Sequence, residues 1–260
     1  MVEEVKQIVW LARLLRKFPK GKKLVSSVKR RASLDLAQVL HNDVIHRMRQ
    51  LSASMAENNL EVGSERAIEV CTACSKIMTN LLELSPHEVH CCMKVFTREQ
   101  GTTSSGKVAT LARSEPYDNR LVEANNTDEH PVDDGNTVWC ALLGKSDGKH
   151  TWPRFKCFSC GDLYNAKGFV CSRDDWRDHY RSTLVFPICH MSNSRTRFCE
   201  IKGFLAFDSS DKNAFGKLPN IFDYKEEPNK YHSDLSKKTL FHIGALLADT
   251  LSVFFEPECD

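Results

Sequence analysis

The chain has no run approaching 18 consecutive apolar residues, so the sequence holds nothing long enough to be a spanning helix. Its N-terminus lacks an apolar block followed by small residues, which leaves the cytoplasm as the expected compartment. Also missing are the motifs around which many catalytic sites are built: no Ser-His-Asp elbow, P-loop, GxGxxG or HExxH occurs. Paired acids such as Asp133-Asp134, Asp174-Asp175 and Glu226-Glu227 lie in polar stretches and read as solvated charge. The expectation is therefore a protein that is not an enzyme. An excess of one charge is absent too, since 36 basic and 34 acidic residues give a net +2, and there is no specific nucleic-acid motif.

What is present is enough apolar matter for a core: 41% apolar and 9% aromatic residues in 260. The eleven cysteines are odd in number and scattered. Cys71, Cys91, Cys140 and Cys189 fall in apolar patterns, where a free thiol behaves as a small hydrophobe. Charge is unevenly placed. Residues 1–31 hold ten Lys or Arg against Glu3 and Glu4, so the rest of the chain is net acidic. Within this segment Val5, Ile8, Val9, Ala12 and Leu15 are spaced as one face of a helix that Pro19-Lys20-Gly21 ends. Such a basic amphipathic stretch suits an anionic membrane surface, an acidic partner, or packing on the same chain or a second copy. Arg30-Arg31-Ala32-Ser33-Leu34 has the form of a basophilic-kinase site, a short match on its own.

From Leu34, apolar residues at steps of three and four (Leu36, Val39, Leu40, Val44, Met48, Leu51, Met55) predict a long helix, with Asn58, Asn59 and Gly63 as its interruption. A second helix is expected from Ser64 to Ser85-Pro86. The period then shortens to two. VHCCMKVF and KVATLARS, on either side of a Gly-Thr-Thr-Ser-Ser-Gly turn, predict a hairpin, and 115–135 reads as a long polar loop. Asn136 caps a short helix, TVWCALL, that Gly144 ends. FKCFSCGDL reads as a short strand into a loop. The strongest strand signals are Arg181–Cys189 and Ile201–Asp208, with Ser233 then capping a helix that carries Ile243, Leu246, Leu247, Leu251 and Phe254 on one face. The run STLVFPIC is apolar at nearly every position, as a strand covered on both faces would be, and Pro187 within it is expected near the strand's end.

This order, with Arg181-Ser182 followed by apolar residues and Pro187, and Gly203-Phe204-Leu205-Ala206-Phe207 in the paired strand, resembles a GAF-type sensor domain. The resemblance implies an α/β (α+β) fold: a GAF-like central antiparallel sheet with flanking helices, over 64–258, preceded by a relay or dimerisation helix at 34–63 and the basic segment at 1–33. It also implies a small-molecule pocket on the sheet face away from the terminal helices, a non-enzymatic regulatory role, and a homodimer formed through the N-terminal helices. The rival reading is a ligand-free scaffold whose core is filled by its own side chains and whose basic N-terminus meets a protein or membrane surface.

Candidate ligand contacts are Arg113, Asp162 and Arg181, with Trp139, Phe155, Tyr164 and Trp176 as stacking surfaces. Each has an ordinary alternative: Arg181 paired with Asp178 or Asp162, Trp139 in the core. The ligand itself is not legible. The Asn-Lys, Phe, Asp-Glu order of cyclic-nucleotide-binding members is not reproduced in DSSDKN (208–213), and Cys189-His190 has the dipeptide of bilin-attaching members without its surroundings. Cys157, Cys160 and Cys171, with His150 and His179, have the residue types of a zinc site but no second Cys-x-x-Cys knuckle near them, and Cys71-Thr-Ala-Cys74 lies within a helix. His41-Asn42-Asp43 resembles the start of a phosphoacceptor helix, but no glycine-rich ATP lid accompanies it, and a histidine on a helix surface accounts for it.

Overall fold

A computed structural model describes Arg47, Gln50 and residues 60–82, 89–97, 107–115, 130–131, 137–143, 157–171, 175–191, 199–223, 227–235 and 239–252. In chain order these form α1 (Leu60–Leu82), β1 (His90–Thr97), β2 (Lys107–Arg113), β3 (His130–Pro131), α2 (Thr137–Leu143), β4 (Phe158–Cys160), a 3-10 turn (Leu163–Asn165), α3 (Trp176–His179), β5 (Ser182–Met191), β6 (Cys199–Ser209), α4 (Pro228–Leu235) and α5 (Thr239–Ser252). The strands make one six-stranded antiparallel sheet in the order β3-β2-β1-β6-β5-β4. The α+β class expected from the sequence is what the chain adopts. No described helix is long and apolar enough to cross a membrane.

α1 forms because Ala67, Val70, Cys71, Cys74, Ile77 and Met78 recur at helical spacing, and all six are buried against β1 and β2. α5 buries Phe241, Ile243, Leu247, Ala248 and Leu251 and lies on β5. Its glycine makes that approach possible: a Cβ on Gly244 would stand 2.1 Å from Cε2 of Phe186. Phe186 therefore marks the helix-covered face. Because directly opposed residues on paired strands project to the same side, the register assigns Leu184, Phe186, Ile188, Phe207, Leu205, Cys91 and Met93 to that face.

The other face carries Thr183, Val185, Pro187, Asp208, Ala206, Phe204, His90, Cys92, Lys94 and Phe96. α2 covers one corner of it. Trp139 packs on Phe204 with ring centroids 4.5 Å apart, and Phe204 in turn meets Phe96 at 5.6 Å. Thr137 anchors α2 to the segment before α3: its N–H donates to Val170 O (2.9 Å), and its Oγ1 accepts from Val170 N–H (2.7 Å). Burial on both sides explains why Leu184 through Ile188 is apolar without alternation.

Several expectations change. α1 begins at Leu60, not Ser64, so Gly63 lies inside the helix and the proposed boundary at 63/64 falls within one element. Ser233 sits inside α4 instead of capping the last helix, and Leu246 is 52% exposed instead of on the buried face of α5. The loop expected at 115–135 includes β3, which pairs with β2. Pro187 is the sixth of ten residues in β5, opposite Phe204, and not near the strand's end. It lies past β4, which pairs only with Thr183–Val185, so among the described residues a strand flanks it on the β6 side alone; a residue without an N–H is tolerated beside such an edge. The basic segment 1–33, His41, His150 and Phe155 lie outside the described residues. Of the helix expected at 34–63, Arg47 and Gln50 are helical, and Arg47 Nη1 pairs with Glu69 Oε2 of α1 at 3.1 Å.

Two substitutions test this packing. A Cβ on Gly203 would stand 2.2 Å from the backbone oxygen of Lys94, so Gly203→Ala is expected to destabilise the chain by about 2 kcal/mol or more in urea unfolding. Tyr231 of α4 is fully buried; its hydroxyl donates to Cys157 O (3.2 Å) and lies 3.0 Å from Ser159 Oγ, which donates onward to the carbonyl of Pro219. Tyr231→Phe strands those acceptors and is expected to cost about 1–2 kcal/mol; an unchanged unfolding midpoint would show that the hydroxyl contributes nothing.

Candidate functional site

The register of β1 against β2 shifts between Met93 and Lys94: Met93 faces Ala112, whereas Lys94 faces Thr110. Leu111 is the extra residue. Without the bulge, Thr110 and Arg113, three apart in sequence, would point to opposite faces; with it, both share the face of Lys94 and Cys92, away from α1 and α5. Moving across the sheet, His90 opposes Asp208, and Asp208 opposes Thr183. The result is a polar strip of Thr110, Lys94, Arg113, His90, Asp208 and Thr183, bordered by the apolar Ala206, Val185 and Phe158.

The strip is half-buried. Lys94, Arg113, His90 and Asp208 are partly exposed, while Thr183 is buried. Lys94 Nζ donates to Thr110 Oγ1 at 2.9 Å, and Thr183 Oγ1 donates to Asp208 Oδ1 at 2.5 Å. Desolvation holds the Lys94 ammonium below the ordinary lysine range, with the nearby Arg113 guanidinium adding to the depression and Asp208 opposing it.

A second cluster forms at the β4–β5 corner. Asp162 accepts from Arg181 Nε on Oδ1 (3.0 Å) and from Arg181 Nη2 on Oδ2 (3.4 Å), a forked pairing. Its Oδ2 also meets Lys212 Nζ at 2.9 Å and Asn165 Nδ2 at 2.7 Å. The bonds from Arg181 first, then Lys212 and Asn165, hold the Asp162 carboxyl well below the usual range against the opposing effect of burial. The Arg181 guanidinium lies 5.1 Å from the Tyr164 ring centroid, and Tyr164 packs edge-on to Trp176 at 5.8 Å. Backbone bonds complete the corner: Leu163 N–H to Arg181 O (2.8 Å), and Asn213 N–H to Gly161 O (2.8 Å).

Comparison with family models and with curated proteins finds no match to this chain.

The expected ligand set divides. Asp162, Arg181, Tyr164 and Trp176 come together, but as a corner whose charges are already paired with one another and whose Trp176 is buried among Phe169, Tyr164 and Tyr180. Trp139 is core. Among the described members of the set Arg113 alone lies on the polar strip, and the structure adds to it Lys94, His90, Asp208 and Thr183.

The cysteine candidates do not converge. Cys157 and Cys160, three apart across β4, face opposite sides: Cys157 shares Tyr231 with Ser159 on one, whereas Cys160 opposes Thr183 on the other. Burial pushes the Cys157 thiol up to about 12 and the Cys160 thiol up to about 11. Cys171 Sγ lies 3.2 Å from Tyr180 Oη. Among the described residues no three His, Cys, Asp or Glu side chains are grouped to hold a metal ion.

The corner gives a pH signature. A carboxyl held lower in the folded state than its unfolded value near 4 contributes stability that is fully present above that value and lost as pH falls below it. Asp162→Asn is therefore expected to lower the melting temperature at pH 7 and to flatten its fall between about pH 5 and 2. A variant with an unchanged acid profile would contradict the assigned pairing.

Proposed function

We propose that the chain is a non-enzymatic, GAF-like sensory module that binds a small ligand on the sheet face opposite α1 and α5 and passes the bound state to its N-terminal helices. The polar strip carries this reading. A sheet face meant only to be packed would gain nothing from partly burying Lys94, Arg113 and Asp208 together, since buried charge is costly unless something compensates it. The sequence of elements also supports the GAF-like resemblance: a first hairpin, a small helix, a short strand running into Asp162-Leu163, two long strands, and terminal helices seated on one face.

α1 lies against β1 and β2, and β1 holds Lys94, Cys92 and His90, so an occupant of the strip and the helix touch the same strand from opposite sides. The Arg47–Glu69 pair joins α1 to the helical residues before it. In this reading the protein is cytoplasmic and dimerises through its N-terminal helices, and residues 1–31 meet an anionic membrane surface or an acidic partner. One observation favours the rival scaffold. Trp139, Phe204 and Phe96 fill the α2 corner of the same face with the chain's own side chains.

Native mass spectrometry of the purified full chain separates the two. The sensor reading expects a dimer and a small molecule that is released on denaturation or taken up from a metabolite mixture. A chain that carries and takes up nothing would overturn it in favour of the scaffold.

A further inference from the structure

We propose that the ligand of the polar strip is an amino-acid-like zwitterion, its carboxylate held between Lys94 and Arg113 and its ammonium at Asp208. This rests on the ligand-binding reading above and names the chemistry of that site.

The two cations come from adjacent strands and share one face because of the bulge at Leu111. Among the described residues neither makes an ion pair: Lys94 Nζ is bonded to the neutral Thr110 hydroxyl, and Arg113 is near enough to Lys94 to act against its charge. Two like charges in a half-buried position repel more strongly than in water, and an anion between them removes that cost. A guanidinium offers a planar fork to a carboxylate and an ammonium offers a point charge, so together they can hold both oxygens.

Asp208 supplies the opposite pole. One of its oxygens accepts from Thr183, which leaves acceptor capacity on a carboxylate that makes no ion pair among the described residues. A purely anionic ligand would face that carboxylate, and a purely cationic one would face Lys94 and Arg113; a molecule bearing both charges satisfies all three. Ala206 and Val185, both buried, lie beside the poles on the same face of the sheet. Arg113 lies opposite Cys92 and Asp208 opposite His90, two strand spacings across and two residues along, roughly 12 Å between backbones before side chains extend. That span suits a molecule of amino-acid size.

The test uses the dialysed full chain and the twenty L-amino acids as probes in thermal melting, followed by calorimetry on any that raise the melting temperature. For a probe such as L-leucine, the matched deaminated carboxylate (4-methylpentanoate) and decarboxylated amine (3-methylbutylamine) are titrated alongside it. The proposal expects at least one amino acid to bind and both analogues to bind at least ten-fold more weakly. Arg113→Gln and Asp208→Asn should each weaken binding roughly ten- to a hundred-fold. Lys94→Gln, which keeps a donor toward Thr110, replaces either variant if its circular dichroism departs from that of the parent. Equal binding of the carboxylate or the amine, or no binding by any amino acid, overturns the zwitterion. If native mass spectrometry then finds a bound molecule of another charge class, the sensor reading survives that failure; if it finds none, both fall.

Discussion

Ten residues of β5 pair with β6, and nearly everything else is placed by that ladder. Because side chains alternate along a strand, a slip of one residue would exchange Leu184, Phe186 and Ile188 with Thr183, Val185 and Pro187. Phe186 would lose its seat against Gly244 of α5, and Thr183 would leave Asp208. The register is thus fixed from both faces at once, by apolar packing on one and by a charge-assisted hydrogen bond on the other. β1 then adds to β6 in the matching phase, and α1 finds Cys91 and Met93 on the same side as Phe207 and Leu205.

The two faces differ in kind. The helix side is filled by α1, α4 and α5, and Tyr231 is the polar group that joins α4 to β4. The other side is divided between an aromatic corner under Trp139 and a polar strip on β1, β2 and β6. The division depends on the Leu111 bulge, which brings Thr110 and Arg113 to one face where an unbroken β2 would separate them. The Asp162–Arg181 corner has a different role. Its charges pair with each other and fasten the turn after β4 to the start of β5.

Much of the sheet was legible because the signals were local. Period-two alternation in VHCCMKVF placed β1, the continuous apolar run placed β5, and the start and stop residues Asn136 and Gly144 around TVWCALL placed α2. Misreadings came where tertiary packing overrode a local cue: Gly63 continues a helix, and Ser233, a good cap by type, lies within α4. The site was less legible. In β1 the alternation sets His90 and Lys94 on one face, but alternation reports which residues share a face and not what that face meets. Arg113 could be singled out from sequence, but its neighbour Lys94 could not, because a one-residue bulge leaves no mark in KVATLARS. Asp208 stands at the end of an apolar strand, where a single acid ordinarily marks the start of a turn.

The central claim is that this bulge and the β5–β6 register gather Thr110, Lys94, Arg113, Asp208 and Thr183 on the face opposite the helices. Cross-strand nuclear Overhauser contacts in the isotopically labelled full chain test it most directly. The account predicts contacts of Lys94 with Thr110, of Cys92 with Arg113, and of Thr183 with Asp208. Contacts placing Lys94 opposite Leu111, or Thr183 opposite Phe207, would mean a different register and would disperse the strip to both faces of the sheet.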